Sequence, residues 1–266
     1  MTNNDQKLIA IYKAAYDFLK EKASEKVLSA QLDYYEKFSA KSLKVVFQHM
    51  LNSLKNKQGY VNFIASTDDM SVILFRFDPV RAHSYYNGNW RKLFLKFRNK
   101  FGKDYKMKIN DNRNAWVIYT KGVLSCAKFL SNFKNVKDFD KFVKSFFHNE
   151  FTIASLPMLL EKEIFGFGFP LACDFIKELG YMQYGKPDVH IKDIFQRLKL
   201  VDNDTDYEAF KMIVKIGLLV KEPPVIVDKI FWLIGSGNFD QSDVKIGRQK
   251  NNFYKYLRKK KIYVLS

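Results

Sequence analysis

Apolar residues recur at intervals of three and four along most of the chain. In "NDQKLIAIYKAAYDFLKEKAS", Leu8, Ile11, Ala15 and Phe18 fall on one face, the spacing of a half-buried helix. "SLKVVFQHMLNSL", "NAWVIYTKGVLSCAKFLSNF", "VKDFDKFVKSFFHN", "DYEAFKMIVKIGLL" and "VIVDKIFWLIGSG" read the same way. Asp138 falls in or near the first turn of its helix, where a carboxylate suits the positive end of the backbone dipole. Ser155-Leu156-Pro157 predicts the start of a further helix, and Gly235 is placed to cap the helix that follows Pro223-Pro224. Two runs depart from this period. "GYVNFIAS" and "MSVILFRF" are rich in β-branched and aromatic residues, are separated by Thr67-Asp68-Asp69 and stop at Asp78-Pro79, which predicts a β-hairpin. The expected fold is mainly α, with two helical lobes and one short β-hairpin in the N-terminal half. The lobes divide into a basic region over 1–113 and a second region over 114–266, parts of one compact unit.

Composition adds a partner. The 266 residues are 47% hydrophobic and 16% aromatic, ample for a folded core, and carry a formal charge of +17. An excess of that size points to a polyanion. Residues 1–150 hold 27 Lys and Arg against 14 acids, a net of +13, whereas 151–266 hold 18 against 14, a net of +4. Between Arg91 and Lys108 lie eight basic residues and one acid, Asp104, with Phe94, Phe97 and Phe101 on a shared inner face. No stretch approaches the roughly 18 apolar residues of a spanning helix, and no secretory leader is visible. Two distant cysteines, Cys126 and Cys173, exclude a four-cysteine zinc or iron–sulfur site and a disulfide scaffold. The expectation is a cytoplasmic monomer with no metal, no other cofactor and no membrane.

Candidate chemistry centres on "IFGFGFPLACDFIKELGYMQYGKPDVHIKDIF", from Ile164 to Phe195. Gly166-Phe167-Gly168 stands directly before a helix that opens with Phe169-Pro170. Glycine permits positive φ and close backbone approach, proline is tolerated in a first helical turn, and the helix start offers free N–H groups. Together these make a cradle for phosphate, with Phe167 and Phe169 pinning the turn to the core. Asp188 precedes the next helix. As a carboxylate at that position it can cap the helix. His190 lies in the first turn of that helix, where a buried or phosphate-facing structural role fits better than acid–base work. Lys186 either contacts phosphate or is solvated.

Helix, Gly-Phe-Gly turn and helix ("LPMLLEKEI", "FGFG", "FPLACDFIKEL") are followed by Asp188-Val189-His190 and by "IKDIFQRLKL". Over about 40 residues this order resembles the helix-hairpin-helix DNA glycosylases, the superfamily of endonuclease III and the adenine-specific mismatch enzymes. The resemblance implies a helix-hairpin-helix motif, double-stranded DNA as partner, and Asp188 as the catalytic carboxylate, stabilising an oxocarbenium-like sugar and orienting water. It also implies DNA contacts from Gly166, Phe167, Gly168, Phe169, Lys186 and His190, joined by Arg91 and Lys92 of the basic run. Bifunctional members carry a lysine two residues after the second glycine. Pro170 stands there, which implies a monofunctional enzyme that leaves an abasic site uncut. The family's cysteine cluster is missing.

A base must leave the duplex to be excised. "SYYNGNW" offers Tyr85, Tyr86, Asn87 and Trp90 as pocket or wedge residues, or as ordinary packing. Trp116, Tyr119 and Trp232 are expected in the core, and Asp228 in an ion pair or at a helix end. Two functions compete: a monofunctional DNA glycosylase, or a DNA-binding module that keeps the turn and uses Asp188 only as a cap. For the enzyme, damaged bases and modified cytosines of phage DNA, such as glucosylated hydroxymethylcytosine, are the candidate targets, in repair or anti-phage defence.

Overall fold

The computed structural model describes residues 2–33, 38–57, 60 and 62–262. Among them the chain is mainly helical. In order run α1 (Asn3–Ala23), α2 (Glu25–Leu32), α3 (Leu43–Lys55), α4 (Pro79–Tyr86), α5 (Trp90–Phe101), α6 (Ala115–Leu130) and α7 (Val136–Lys144). Then follow α8 (Glu150–Glu163), α9 (Phe169–Glu178), α10 (Val189–Arg197), α11 (Asp206–Val220), α12 (Pro224–Ser236) and α13 (Lys250–Lys259). Between the last two, β1 (Asn238–Phe239) and β2 (Val244–Lys245) form a two-stranded antiparallel ladder, pairing Asn238 with Lys245 and Phe239 with Val244.

Most helices begin where a side chain can take an orphan N–H. Thr2, Ser42, Asp78, Asn89, Asn114, Asn135, Asn149, Asp188 and Thr205 each accept from a first-turn amide. At Asn149 the cap is reciprocal, because Thr152 Oγ1 accepts from the Asn149 N–H. This cap starts α8 eight residues before Pro157, which the sequence had placed at the helix start. Pro157 instead lies buried inside the helix, where it removes one backbone bond. Likewise Gly237, at φ +73°, caps α12, and Gly235 lies inside that helix.

The chain forms two units. Unit 1 comprises residues 1–38 and 176–266, and unit 2 comprises 39–175. This division differs from the expected boundary at 113/114, because α1 packs against α11, α12 and α13 from the far end of the sequence. In unit 1, α12 is the central helix, with ten of its thirteen residues buried. Its core joins Leu8, Ile11, Phe18, Ile194, Phe195 and Phe231. In unit 2 the central helix is α6, packed by α3, α4 and α5. Trp116 and Tyr119 are buried there, and Phe101 stacks on Trp116 at 5.5 Å. Trp232, in unit 1, is only partly buried and carries Lys229 Nζ 3.9 Å over its ring.

Among the described residues the expected β-hairpin is not there. Gly59 and Val61 of its first run lie outside the described residues. The rest forms turns and a short 3₁₀ segment at Asp68–Met70. The buried residues of its second run are Met70, Leu74 and Phe77, a spacing of four and three where a strand needs two. Hydrogen bonds stay local, as in Leu74 N–H to Met70 O (3.0 Å) and Arg76 N–H to Ser71 O (2.7 Å). Phe75, Arg76 and Phe77 take φ of +53°, +55° and +60°, three successive left-handed residues without a glycine. Each such residue costs roughly 1–2 kcal/mol. The Tyr86 hydroxyl donates to Ile73 O at 2.9 Å, and the Phe75 ring meets Tyr85 edge-on at 5.1 Å, which fix the turn. Among the described residues no helix is long and apolar enough to cross a membrane.

Candidate nucleic-acid interface and carboxylate site

The glycine turn belongs to unit 2. Ile164 ends α8, and Phe167 N–H returns to Ile164 O at 3.1 Å. Gly166, at φ +91°, takes the third place of this turn, the place that needs a left-handed residue in a type II turn. Gly168 then accepts from the amides of Leu171 and Ala172, so its carbonyl opens α9. Gly168 has no positive φ, and a Cβ there would meet only Pro170 Cδ, at 3.9 Å. Neither backbone strain nor crowding explains this glycine.

Central helix α6 seats the turn. A Cβ at Gly122 would lie 2.8 Å from Phe165 O and 2.9 Å from Leu54 Cδ1, so only glycine lets the turn come this close. Three residues on, Ser125 Oγ accepts from Phe165 N–H at 2.9 Å and donates to Gly122 O at 2.8 Å. Phe167 and Phe169 are 6% exposed, so any contribution they make to an external ligand goes through backbone. Phe165 points outward, 48% exposed. Beside it stands Lys121, with Nζ 5.6 Å from the Phe165 ring and 4.9 Å from the Trp90 ring. The Arg91 guanidinium lies 4.6 Å over the same Trp90. The structure thus brings the start of α5 to the glycine turn through Lys121, a residue the sequence had not singled out. Its only signal was a cation, one of two with Lys128, on an otherwise largely apolar helix.

The rest of "SYYNGNW" is less open than expected. Tyr85 and Tyr86 belong to α4, not to a loop, and Asn87 is its left-handed C-cap at φ +43°. Tyr86 is buried and its hydroxyl is pushed up to about 12 by burial, with Tyr85 adding to it, which makes it a packing residue. Tyr85 is 45% exposed, but Lys92 Nζ lies 3.6 Å over its ring and donates to its carbonyl at 2.9 Å. Lys92 therefore completes the C-terminus of α4.

Asp188, Lys186 and His190 belong to unit 1. Asp188 is half-buried at φ −80°, ψ 175° and caps α10. Its Oδ1 accepts from His190 N–H (2.9 Å) and Ile191 N–H (3.1 Å). Its Oδ2 takes no protein hydrogen bond among the described residues. The loop before it is fastened to α12 by a buried carboxylate. Asp228 Oδ2 accepts from Lys186 N–H at 2.7 Å and from Lys177 Nζ at 3.1 Å, with Asp228 and Lys177 2% and 7% exposed. Burial pushes the Asp228 carboxyl up, Lys177 and the Lys186 amide pull it back, and nearby Asp188 raises it further. Gly185 completes the seat. A Cβ there would lie 2.7 Å from Ile213 Cγ2 and 3.0 Å from Asp228 Cβ.

His190 is half-buried, with a buried Nδ1 lacking a hydrogen-bond partner among the described residues. Burial pulls its imidazole below the usual 6.5, against the opposing charge of Asp188, so it is neutral near pH 7. Gly235 makes room for it, since a Cβ there would lie 2.4 Å from His190 Cβ. That is why a glycine interrupts α12. His190 is thus packed under its own helix, in keeping with a structural role.

No group of three or more His, Cys, Asp or Glu side chains able to hold a metal ion occurs among the described residues. No protein-family model matches the chain, and searches of curated proteins and of solved structures likewise return no match.

Proposed function

We propose that this protein is a monofunctional DNA glycosylase that acts on a modified or damaged base in double-stranded DNA. The observation that carries the reading is the state of Asp188. One oxygen is held by two backbone amides, the other is without a protein donor, and the loop is locked by a buried ion pair. A carboxylate fixed in this way does not need to reorganise when positive charge grows on a sugar. Water, oriented by Oδ2, adds to C1′ as the bond from C1′ to the base nitrogen breaks. The base leaves with the electron pair, and the water proton passes to the carboxylate and then to solvent.

The second support is electrostatic. Unit 2 holds 22 Lys and Arg against 11 acids, a net of +11. Its Gly166–Gly168 turn leaves open space at Gly168, next to Lys121 and the outward Phe165. In this reading the turn and Lys121 hold backbone phosphate, and Phe165 and Trp90 offer apolar faces to a distorted duplex. Pro170 provides no amine, and Lys177 is engaged with Asp228, so no lysine of α9 is offered for a Schiff base.

The test is base release from duplexes containing uracil, alkylated or oxidised bases, and from phage DNA with glucosylated hydroxymethylcytosine. Alkali-dependent strand cleavage on one substrate is expected, with no cleavage before alkali. A second reading, DNA binding without chemistry, is favoured by one fact: Asp188 is fully accounted for as a helix cap. It predicts salt-sensitive binding and no abasic product from any substrate. Both readings expect Lys121→Gln to lower the slope of log affinity against log salt by about 0.9, uniformly across sequences. Lys121→Arg restores the slope. Equal slopes for the wild type and the glutamine variant would remove Lys121 from the interface.

A further inference from the structure

In unit 2, away from the glycine turn, a pocket of about 400 Å³ is lined by Lys44, Val72, Phe75, Arg76, Asp78 and Arg81. We infer that it is a binding site for a nucleoside phosphate, with the phosphate between Lys44, Arg76 and Arg81 and the rest of the ligand against Val72 and Phe75.

Three observations lead there. The first is charge. Three cations line the pocket and only one acid does, and that acid is already used. Asp78 Oδ1 accepts from Arg81 N–H at 3.0 Å to cap α4, and its Oδ2 lies 3.9 Å from Arg81 Nε. The side chains of Lys44 and Arg76 make no ion pair or hydrogen bond among the described residues. Two cations facing one cavity without a counter-charge repel each other, and an anion relieves this.

The second is the backbone. Phe75 and Arg76, two of the three successive left-handed residues, line the pocket, and Arg76 is the middle member of that run. Backbone strain of this kind, in a segment that could have used glycine, marks places where a side chain is held for a task. Here the strained turn places Arg76 in the lining of one pocket with Lys44 and Arg81.

The third is size and lining. The volume falls in the range of small-molecule sites and exceeds what a bare phosphate fills. Val72 is 82% exposed, and Phe75 lies between the pocket and the Tyr85–Tyr86 pair, meeting their rings at 5.1 and 6.2 Å. A ligand with a phosphate at one end and a flat, weakly polar body at the other matches both halves. The inference is independent of Asp188 and of base excision.

The same chemistry arises from a free nucleotide and from the terminal phosphate of a DNA strand, and the experiment separates them. Calorimetric titration of the full chain uses a deoxynucleoside 5′-monophosphate, inorganic pyrophosphate and a short oligonucleotide with either a 5′-phosphate or a 5′-hydroxyl. The mononucleotide is expected to bind, and pyrophosphate to compete. Lys44→Gln/Arg76→Gln is expected to weaken both by about tenfold or more. Lys96→Gln/Arg98→Gln, which removes the same charge from α5, leaves mononucleotide affinity unchanged. Displacement of the mononucleotide by the 5′-phosphorylated but not the 5′-hydroxyl oligonucleotide assigns the site to DNA ends. Displacement by neither assigns it to free nucleotides. No binding at millimolar ligand, or equal affinity for wild type and Lys44→Gln/Arg76→Gln with circular dichroism showing both folded, overturns the inference.

Discussion

Asp188→Asn is expected to reduce base release by at least about 10²–10³-fold, the loss seen when one preorganised electrostatic contact to a transition state is removed. Duplex affinity stays the same or rises, because a negative charge near phosphate has gone. The substitution is informative because asparagine caps a helix as well as aspartate does. Its Oδ1 can still accept from His190 and Ile191 N–H, so α10 keeps its start. What changes is the second oxygen, which becomes an amide without charge. Asp188→Ala provides the contrast. It loses the charge and also the cap, at a cost of about 1 kcal/mol of stability. A glycosylase loses base release in both variants, and only the alanine variant melts earlier. If Asp188 is a cap and nothing more, Asp188→Asn behaves as wild type in every assay.

The largest effect on stability is expected at Asp228. Asp228→Ala takes from the 7%-exposed Lys177 ammonium the carboxylate oxygen 3.1 Å away, and removes the acceptor of the Lys186 amide. Breaking one half of a buried pair costs about 3–5 kcal/mol. Replacing both members with apolar residues of similar volume, Lys177→Met with Asp228→Leu, recovers much of that loss, since neither buried charge remains. Urea denaturation measures both. If the double variant is as stable as wild type yet binds and releases bases poorly, the pair exists to set the Asp188 loop. If Asp228→Ala unfolds no more easily than wild type, the ion pair contributes little and the loop is held by Gly185 and the burial of Tyr184.

The helices were legible because two local signals agreed. The three–four spacing of apolar residues marked the buried face of α1, α3, α6, α11 and α12, and small polar residues stood where amides needed acceptors. The failures have physical reasons as well. Met70-Ser71-Val72-Ile73-Leu74 is β-branched enough for a strand. Strand propensity measures fit to a half-buried pleated surface, though, and here no second strand supplies one. Gly235 and Gly237 are two residues apart. Only the three-dimensional position of His190 shows that the first makes room and the second caps. Pro157 misplaced the start of α8 because proline prefers a first turn, whereas the cap that starts the helix is Asn149. For the candidate site, Asp188 and the glycine turn could be read from order and spacing. Lys121, Ser125 and Gly122 could not, since each matters through a neighbour about 40 residues away in sequence.

The discontinuity of unit 1 sets an order of events during synthesis. Residues 39–175 are contiguous, so unit 2 can close while the chain is still being made. Helix α1 is translated well before α11, α12 and α13, the helices that cover its apolar face. At about 5–20 residues per second, that face waits on the order of 10–40 s for its partners. Helix α1 is therefore made well before it is buried, and its lysines and acids, interspersed with Leu8, Ile11 and Phe18, give it a polar face in the meantime.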